Sequence, residues 1–308
     1  MKEKISVIGA GHVGASLALY AAESDIGDVV LVDIVEGLAA GKALDLAEAA
    51  PVRGYNCDIT GTTDYSEIAG SAVVAVTAGV ARKPGMSRED LLNTNAKIIG
   101  EVTDNIAKYA PDAYILIVSN PLDIMTYHSL KKSGFPKNQV FGQAGVLDSI
   151  RFRTFISMEL GVARAEIQTM VMGGHGDTMV PLPRYTTVCG VPLTDLLPKD
   201  RIDSLVDRTR GGGGEIVKLL KTGSAYYAPA AASAYMVKAV LHDEKRLIPA
   251  STYLEGEYGI KDLCIGAPVI LGAGGIEKVV ELDLSDEEKK MLHHSADTYR
   301  EFLSVIGY

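Results

Sequence analysis

Three cysteines, Cys57, Cys189 and Cys264, are all that the chain carries, and no two of them form a CxxC pair. An odd number of widely separated thiols argues against a disulfide framework or a zinc site and fits a reducing compartment. Long apolar runs are missing too: nothing approaches the ~18 residues needed to span a bilayer, so no membrane partner is expected. Positive charge is not in excess. Thirty Lys and Arg stand against 39 Asp and Glu, a formal net charge of -9, which argues against a nucleic-acid partner bound through phosphates. No long polar or low-complexity tract appears, so disorder is not expected. The apolar run Ile5 to Ile8 follows Met1-Lys2-Glu3-Lys4 directly and leaves no room for a signal peptide, so the expectation is a cytoplasmic enzyme.

What is present is an ordinary globular composition, long enough at 308 residues for about two domains. Apolar, β-rich runs at 4–8, 29–33, 72–77 and 113–118 alternate with helical stretches at 13–23, 36–50 and 91–109. Continuous apolar strands between helices imply a parallel sheet covered on both faces. From about Phe141 the rhythm changes. A helix at 149–160, a strand at 167–172 and a proline-punctuated β-like segment at 180–191 are followed by helices at 199–221 and 228–241, short strands with glycine turns over 253–280, and a charged helix at 285–306. The expected fold class is α/β: a Rossmann doubly wound parallel sheet over residues 1–142, followed by an α+β substrate-binding and catalytic domain over residues 143–308.

Gly9-Ala10-Gly11-His12-Val13-Gly14 is a GxGxxG run between the first strand and the first helix. Gly9 permits the tight turn, Gly11 lets backbone approach a pyrophosphate, and Gly14 lets helix pack on strand. The helix start then offers free N–H groups and a positive dipole end to the anion. Asp33 ends the next strand about 20 residues on, where a carboxylate accepts from a ribose diol and repels a 2′-phosphate; with no arginine beside it, NAD is favoured over NADP. Two other glycine clusters, at 211–214 and 271–275, lack the strand–helix setting; the second reads as a hairpin or bulge.

His175 sits between glycines just past a strand, and Asp148 and Arg151 stand at i, i+3 near a helix start. An aspartate beside an imidazole holds one tautomer and stabilises imidazolium, which makes His175 a candidate acid–base group.

These segments together carry a resemblance. GxGxxG at 9–14, AGVARKPGMSREDLL at 78–92, VSNPLD at 118–123, LDSIRFR at 147–153 and GGHGD at 173–177 resemble the lactate/malate dehydrogenase family over essentially the whole chain, and within it the malate-specific members of lactate-dehydrogenase-like type. The resemblance implies NAD-dependent interconversion of (S)-malate and oxaloacetate, a step of the tricarboxylic acid cycle. It implies that His175 exchanges a proton with the C2 oxygen, supported by Asp148, and that Arg151 grips the C1 carboxylate as a fork. Arg88 would polarise the C2 carbonyl under a closing loop, and Asn120 would hydrogen-bond the substrate. Asn95, Val118, Ser119 and Asn120 would line the cofactor together with Gly9, Ala10, Gly11, His12, Val13, Gly14 and Asp33. Arg82, at the family's specificity position, would meet the second carboxylate. Pyruvate would leave that guanidinium buried and unpaired, a preference of roughly 10²–10⁴ in kcat/KM. No metal is implied. Alanine-dense helices at 36–50 and 228–241 match regions that form subunit interfaces in the family, so a homo-oligomer is expected, a tetramer ahead of a dimer. The competing readings are another 2-hydroxyacid dehydrogenase, an NAD-dependent glycosidase needing a Cys/His-held metal, and a non-catalytic nucleotide-binding regulator.

Overall fold

Successive side chains of a strand point to opposite faces, and in this chain both faces of the sheet are apolar. The structure, a computed structural model, describes residues 2–80 and 87–308, apart from the Arg88 side chain. β1 (Lys4–Ile8), β2 (Asp28–Val32), β3 (Ile59–Thr62), β4 (Val73–Val76), β5 (Tyr114–Ile117) and β6 (Val140–Gly142) lie parallel in the order β6-β5-β4-β1-β2-β3. Ile5, Val7, Ala75 and Leu116 face one layer, built from α1 (His12–Glu23), α2 (Leu38–Arg53) and the helix Tyr227–Leu241. Ile8, Val74, Val76, Ile115 and Ile117 face the other, built from α3 (Arg88–Tyr109), α4 (Leu122–Ser133) and the closing helix Asp286–Val305. This is the doubly wound α/β arrangement expected from the sequence. Among the described residues no helix is long and apolar enough to cross a membrane.

The sheet does not stop after β6. Ser251 of the strand Arg246–Glu255 pairs antiparallel with Gly142, and Lys261–Gly272 and Gly275–Val279 follow outward. Among the described residues one sheet therefore has nine strands. The short strands expected over 253–280 are in fact two long ones and a five-residue hairpin arm. Glycine was read there as a turn signal, yet Gly266 lies inside a strand. Its ideal Cβ would stand 2.4 Å from the Gly173 carbonyl oxygen, so the glycine marks a place where backbone meets backbone. The cluster at 271–275 does form the hairpin expected of it.

Three elements left no readable pattern. β3 is Ile-Thr-Gly-Thr and β6 has three residues. α4 buries residues all round its first turns, from Leu122 through Tyr127, and so shows no apolar stripe. α5 (Gly145–Leu160) starts four residues earlier than expected, which puts Asp148 in its first turn. The expected strand at 167–172 is split into Ile167–Gln168 and Val171–Met172. The alanines of Tyr227–Leu241 are largely spent on packing inside the chain.

Gly142 is the joint of the sheet. A Cβ there would lie 2.5 Å from Thr126 Oγ1, 2.7 Å from Leu122 Cδ2 and 2.9 Å from Ser251 Cβ. Gly142→Ala is therefore expected to lower stability by about 1–3 kcal/mol, read as a fall in the denaturant midpoint at unchanged slope. An unaltered midpoint would show that the joint is looser than this.

Candidate active site

The glycine loop leaves β1 with its direction fixed by backbone. Gly9 has φ 100° and its N–H donates to Val32 O at 2.7 Å. A Cβ on Gly14 would stand 1.9 Å from the Gly9 carbonyl oxygen, so only glycine lets α1 come this near the strand. Gly11 differs: nothing lies within 4 Å of its ideal Cβ. That space fronts a helix start with no side-chain cap and no acidic residue in its first turn. The arrangement suits an anion. His12, on the same loop, stacks its ring on Tyr226 at 4.9 Å.

Asp33 reaches back to this loop. Its Oδ2 accepts from the Ala10 N–H at 2.7 Å and its Oδ1 from the Val35 N–H at 3.0 Å. A cleft of about 410 Å³ runs over Gly9, Gly11, Asp33, Ile34, Tyr65 and Val80. A second, of about 370 Å³, continues from Val13 past Val118, Ser119 and Asn120 to Arg151 and His175. Asn95 lines this cleft but is only 1% exposed. Its amide is already committed: Oδ1 accepts from the Val80 N–H at 2.9 Å, and Nδ2 donates to Asn120 O at 2.7 Å. Ser119 Oγ likewise donates to Val76 O. Both side chains hold the cleft wall in place. Asn120 itself is exposed at the cleft, and its bond to Pro121 is cis.

At the far end of the cleft, Asp148 from the first turn of α5 is 2% exposed and serves two cationic groups. Its Oδ2 lies 2.9 Å from His175 Nδ1, and its Oδ1 accepts from Arg151 Nη1 at 3.3 Å. Burial pushes the His175 imidazole down, but the charge and hydrogen bond of Asp148 outweigh that loss and hold it above the usual histidine range, with Arg151 opposing. The Nδ1 contact leaves Nε2 as the free ring nitrogen. Arg151 passes over the helix expected at 199–221. The glycines at 211–214 lie inside the helix Lys199–Leu220, and a Cβ on Gly212 would stand 3.2 Å from Arg151 Cδ. Arg151 Nε is buried with no partner among the described residues.

Two family profiles match the chain end to end: the lactate/malate dehydrogenase NAD binding domain over residues 3–142, and the lactate/malate dehydrogenase alpha/beta C-terminal domain over residues 145–304. This chain belongs to the lactate/malate dehydrogenase family. It is 56% identical over 306 residues to the malate dehydrogenase of Roseiflexus sp. (strain RS-1), with 99% of each chain covered. Its fold is similar to the apo malate dehydrogenase of Picrophilus torridus, at TM-score 0.97 and 46% identity, covering 99% of this chain and 97% of that one. It is nearly as similar to a lactate dehydrogenase of Cryptosporidium parvum complexed with lactic acid and NAD, at TM-score 0.96 and 41% identity, covering 100% and 99%. The backbone alone therefore does not separate the two branches of the lactate/malate dehydrogenase family.

NAD, the family's cofactor, fits the residues present: an open Gly11, an uncapped helix start and a carboxylate at the end of β2. Arg82 lies outside the described residues. Arg88 begins α3, and its side chain is likewise outside them. The sequence reading did not single out four groups that hold His175. Asp123 Oδ2 accepts from its peptide N–H at 2.8 Å, and Tyr299 OH donates to its carbonyl at 2.7 Å. Ser295 Oγ accepts from the Gly174 N–H at 2.9 Å, and Gly266 pairs with Gly173. Tyr299 and Ser295 lie more than a hundred residues away and carry no motif. Asp123 closes the VSNPLD run and was the one member in plain sight. Ser224 and Ala225 line the same cleft as Arg151.

Proposed function

We propose that this chain catalyses the reversible, NAD-dependent interconversion of (S)-malate and oxaloacetate. The observation that carries the reading is the single cleft in which the cofactor-facing residues Val13, Val118 and Asn120 meet the His175–Asp148 pair and Arg151. Residues 1–142 hold the dinucleotide, and residues 143–308 hold substrate and carry out the proton chemistry. NAD supplies the hydride acceptor at C2 of malate, and NADH the donor in the reverse direction.

The chain's own groups do the rest. Gly9, Ala10, Gly11, His12, Val13 and Gly14 line the pyrophosphate: the Gly9 and Ala10 N–H groups are spent on Val32 O and Asp33 Oδ2 and fix the turn, and the start of α1 faces the anion. Asp33 accepts from the ribose hydroxyls. Asn95, Ser119 and Val118 keep the cleft wall rigid, and Asn120 hydrogen-bonds substrate. Arg151 binds the C1 carboxylate through a planar fork. His175 gives its proton to the C2 oxygen during reduction and takes it back during oxidation, while Asp148 fixes its tautomer. Arg88 polarises the C2 carbonyl. Arg82 pairs with the C4 carboxylate and so separates oxaloacetate from pyruvate. The malate dehydrogenase relatives support that choice of substrate.

The setting is a cytoplasmic enzyme of the tricarboxylic acid cycle that works as a homotetramer. Exposed apolar side chains favour association: Leu44 and Val52 on α2, and Tyr227 and Tyr235 on the helix Tyr227–Leu241.

One assay tests the reaction: oxaloacetate against pyruvate, each with NADH and with NADPH. Oxaloacetate with NADH is expected to win, and Arg82→Gln is expected to reduce the oxaloacetate preference by roughly 10²-fold or more. An unchanged preference would remove Arg82 from the specificity role. The two directions should also depend oppositely on pH. Because His175 titrates above the usual histidine range, kcat/KM for reduction falls, and that for oxidation rises, as pH climbs through its ionisation. Parallel profiles would contradict the proton assignment. Light scattering at micromolar concentration should give four chains per particle; a monomer would refute the assembly.

A further inference from the structure

Asp123 is fully buried at the start of α4, and no step assigned above uses it. Its position is unusual for a structural carboxylate. Oδ2 accepts from the His175 peptide N–H at 2.8 Å. Oδ1 and the neighbouring Ser251 Oγ are both buried with no hydrogen-bond partner of good geometry among the described residues. Among the described residues no lysine or arginine figures in the groups acting on it, and burial pushes its carboxyl up to about 6. At neutral pH it is therefore mainly an anion, held where an anion is costly.

The charges around His175 give the anion a purpose. Asp148 faces the ring from α5, but the same carboxylate also pairs with Arg151, whose positive charge opposes protonation of His175. Within that triad the imidazole gains only part of one negative charge. Among the described residues Asp123, from α4, has no lysine or arginine of its own. The remaining titratable neighbours are Tyr299 on the closing helix and Cys264 on the strand 261–272, both pushed well above their usual ranges by burial and so neutral, and Asp177 on the histidine's own loop. Asp123 is thus a second anion, after Asp148, that counters Arg151 in part.

We propose that Asp123 is a positioning residue for the hydride-transfer reaction: it clamps the peptide of His175 and supplies the uncompensated negative charge that keeps the ring protonated beside Arg151. The inference rests on the acid–base reading of His175. It divides the work between two aspartates. Asp148 selects tautomer and direction, and Asp123 sets the loop height and the charge balance before substrate arrives.

Asp123→Asn in the full chain tests it, because the variant keeps shape and an acceptor oxygen but loses the charge. The ionisation governing kcat/KM should move to lower pH in both directions, by roughly half a unit to one unit. Oxaloacetate reduction above that ionisation should then fall about three- to tenfold, while malate oxidation below it should rise. A purely structural defect would lower both. The sign for stability is opposite to that for activity. A carboxyl raised to about 6 in the folded chain favours folding at low pH, and that benefit is lost as pH rises through about 6. The variant should accordingly melt no lower than the parent at pH 8. Superimposable pH profiles, or an equal loss in both directions at every pH, would overturn the proposal. Should the variant fail to fold, NMR of the unmutated chain with labelled aspartate and histidine decides. The His175 ring signals must show a second step at the ionisation of Asp123, and a ring insensitive to that step counts against the idea. His175→Asn run alongside keeps the two claims apart. Activity retained there defeats the acid–base reading itself, whereas activity lost there with an unmoved Asp123→Asn profile defeats only the role of Asp123.

Discussion

Everything in the cleft depends on one carboxylate being shared. Asp148 is almost sealed from solvent and divides its two oxygens between an imidazole and a guanidinium. Removing one partner of a buried ionic pair typically costs about 3–5 kcal/mol because the other charge is stranded. The aspartate therefore ties the proton-transfer group and the carboxylate-binding group to a common geometry. Because both Asp148 and Arg151 rise from α5, one helix sets the spacing between the two chemical functions, and only His175 must be delivered from elsewhere.

Delivery is the task of the continuous sheet. The parallel half carries the glycine loop at the end of β1, and the antiparallel extension carries Gly266, against which Gly173 docks. The cofactor end and the proton end of the cleft are thus two points on one hydrogen-bonded slab, with α4 passing between them. Asn120, at the cofactor side, and Asp123, under the histidine, are three residues apart on the same short segment. A displacement of that segment is felt at both ends. Asn95 stiffens the segment further by spending its amide on Val80 and Asn120.

The sequence was legible where chemistry and geometry share a local signature. GxGxxG shows a turn, a close approach and a helix start in six residues, and all three are found. The alternating apolar strands gave the doubly wound core. Asp148 and Arg151 were legible because i, i+3 on a helix start means one face, and the structure puts both on Asp148's carboxylate system. The rest was hidden for definable reasons. α4 is buried all round its first turns, so burial leaves no stripe to read. The clamp on the His175 carbonyl comes from Tyr299, whose partner is a backbone atom that no residue identity encodes. Gly212 was expected inside a helix and is found there, but nothing local shows that an arginine side chain lies across that helix. Asn95 was expected to line the cofactor; it lines the cleft, with its amide engaged by Val80 and Asn120.

The contact between Gly173 and Gly266 has one more implication. Crowded side chains can yield by rotating, so a core drifts in small increments as residues are exchanged. Here main chain rests on main chain, and no rotamer stands between the strand and the catalytic loop. Any methyl added at position 266 meets a carbonyl that cannot swing aside. The height of the histidine above the cofactor floor is consequently not a quantity that gradual exchange of neighbours can tune. It is kept whole or lost at a single step, and adaptation of this enzyme to new substrates is steered toward the cleft's far wall and away from its proton donor.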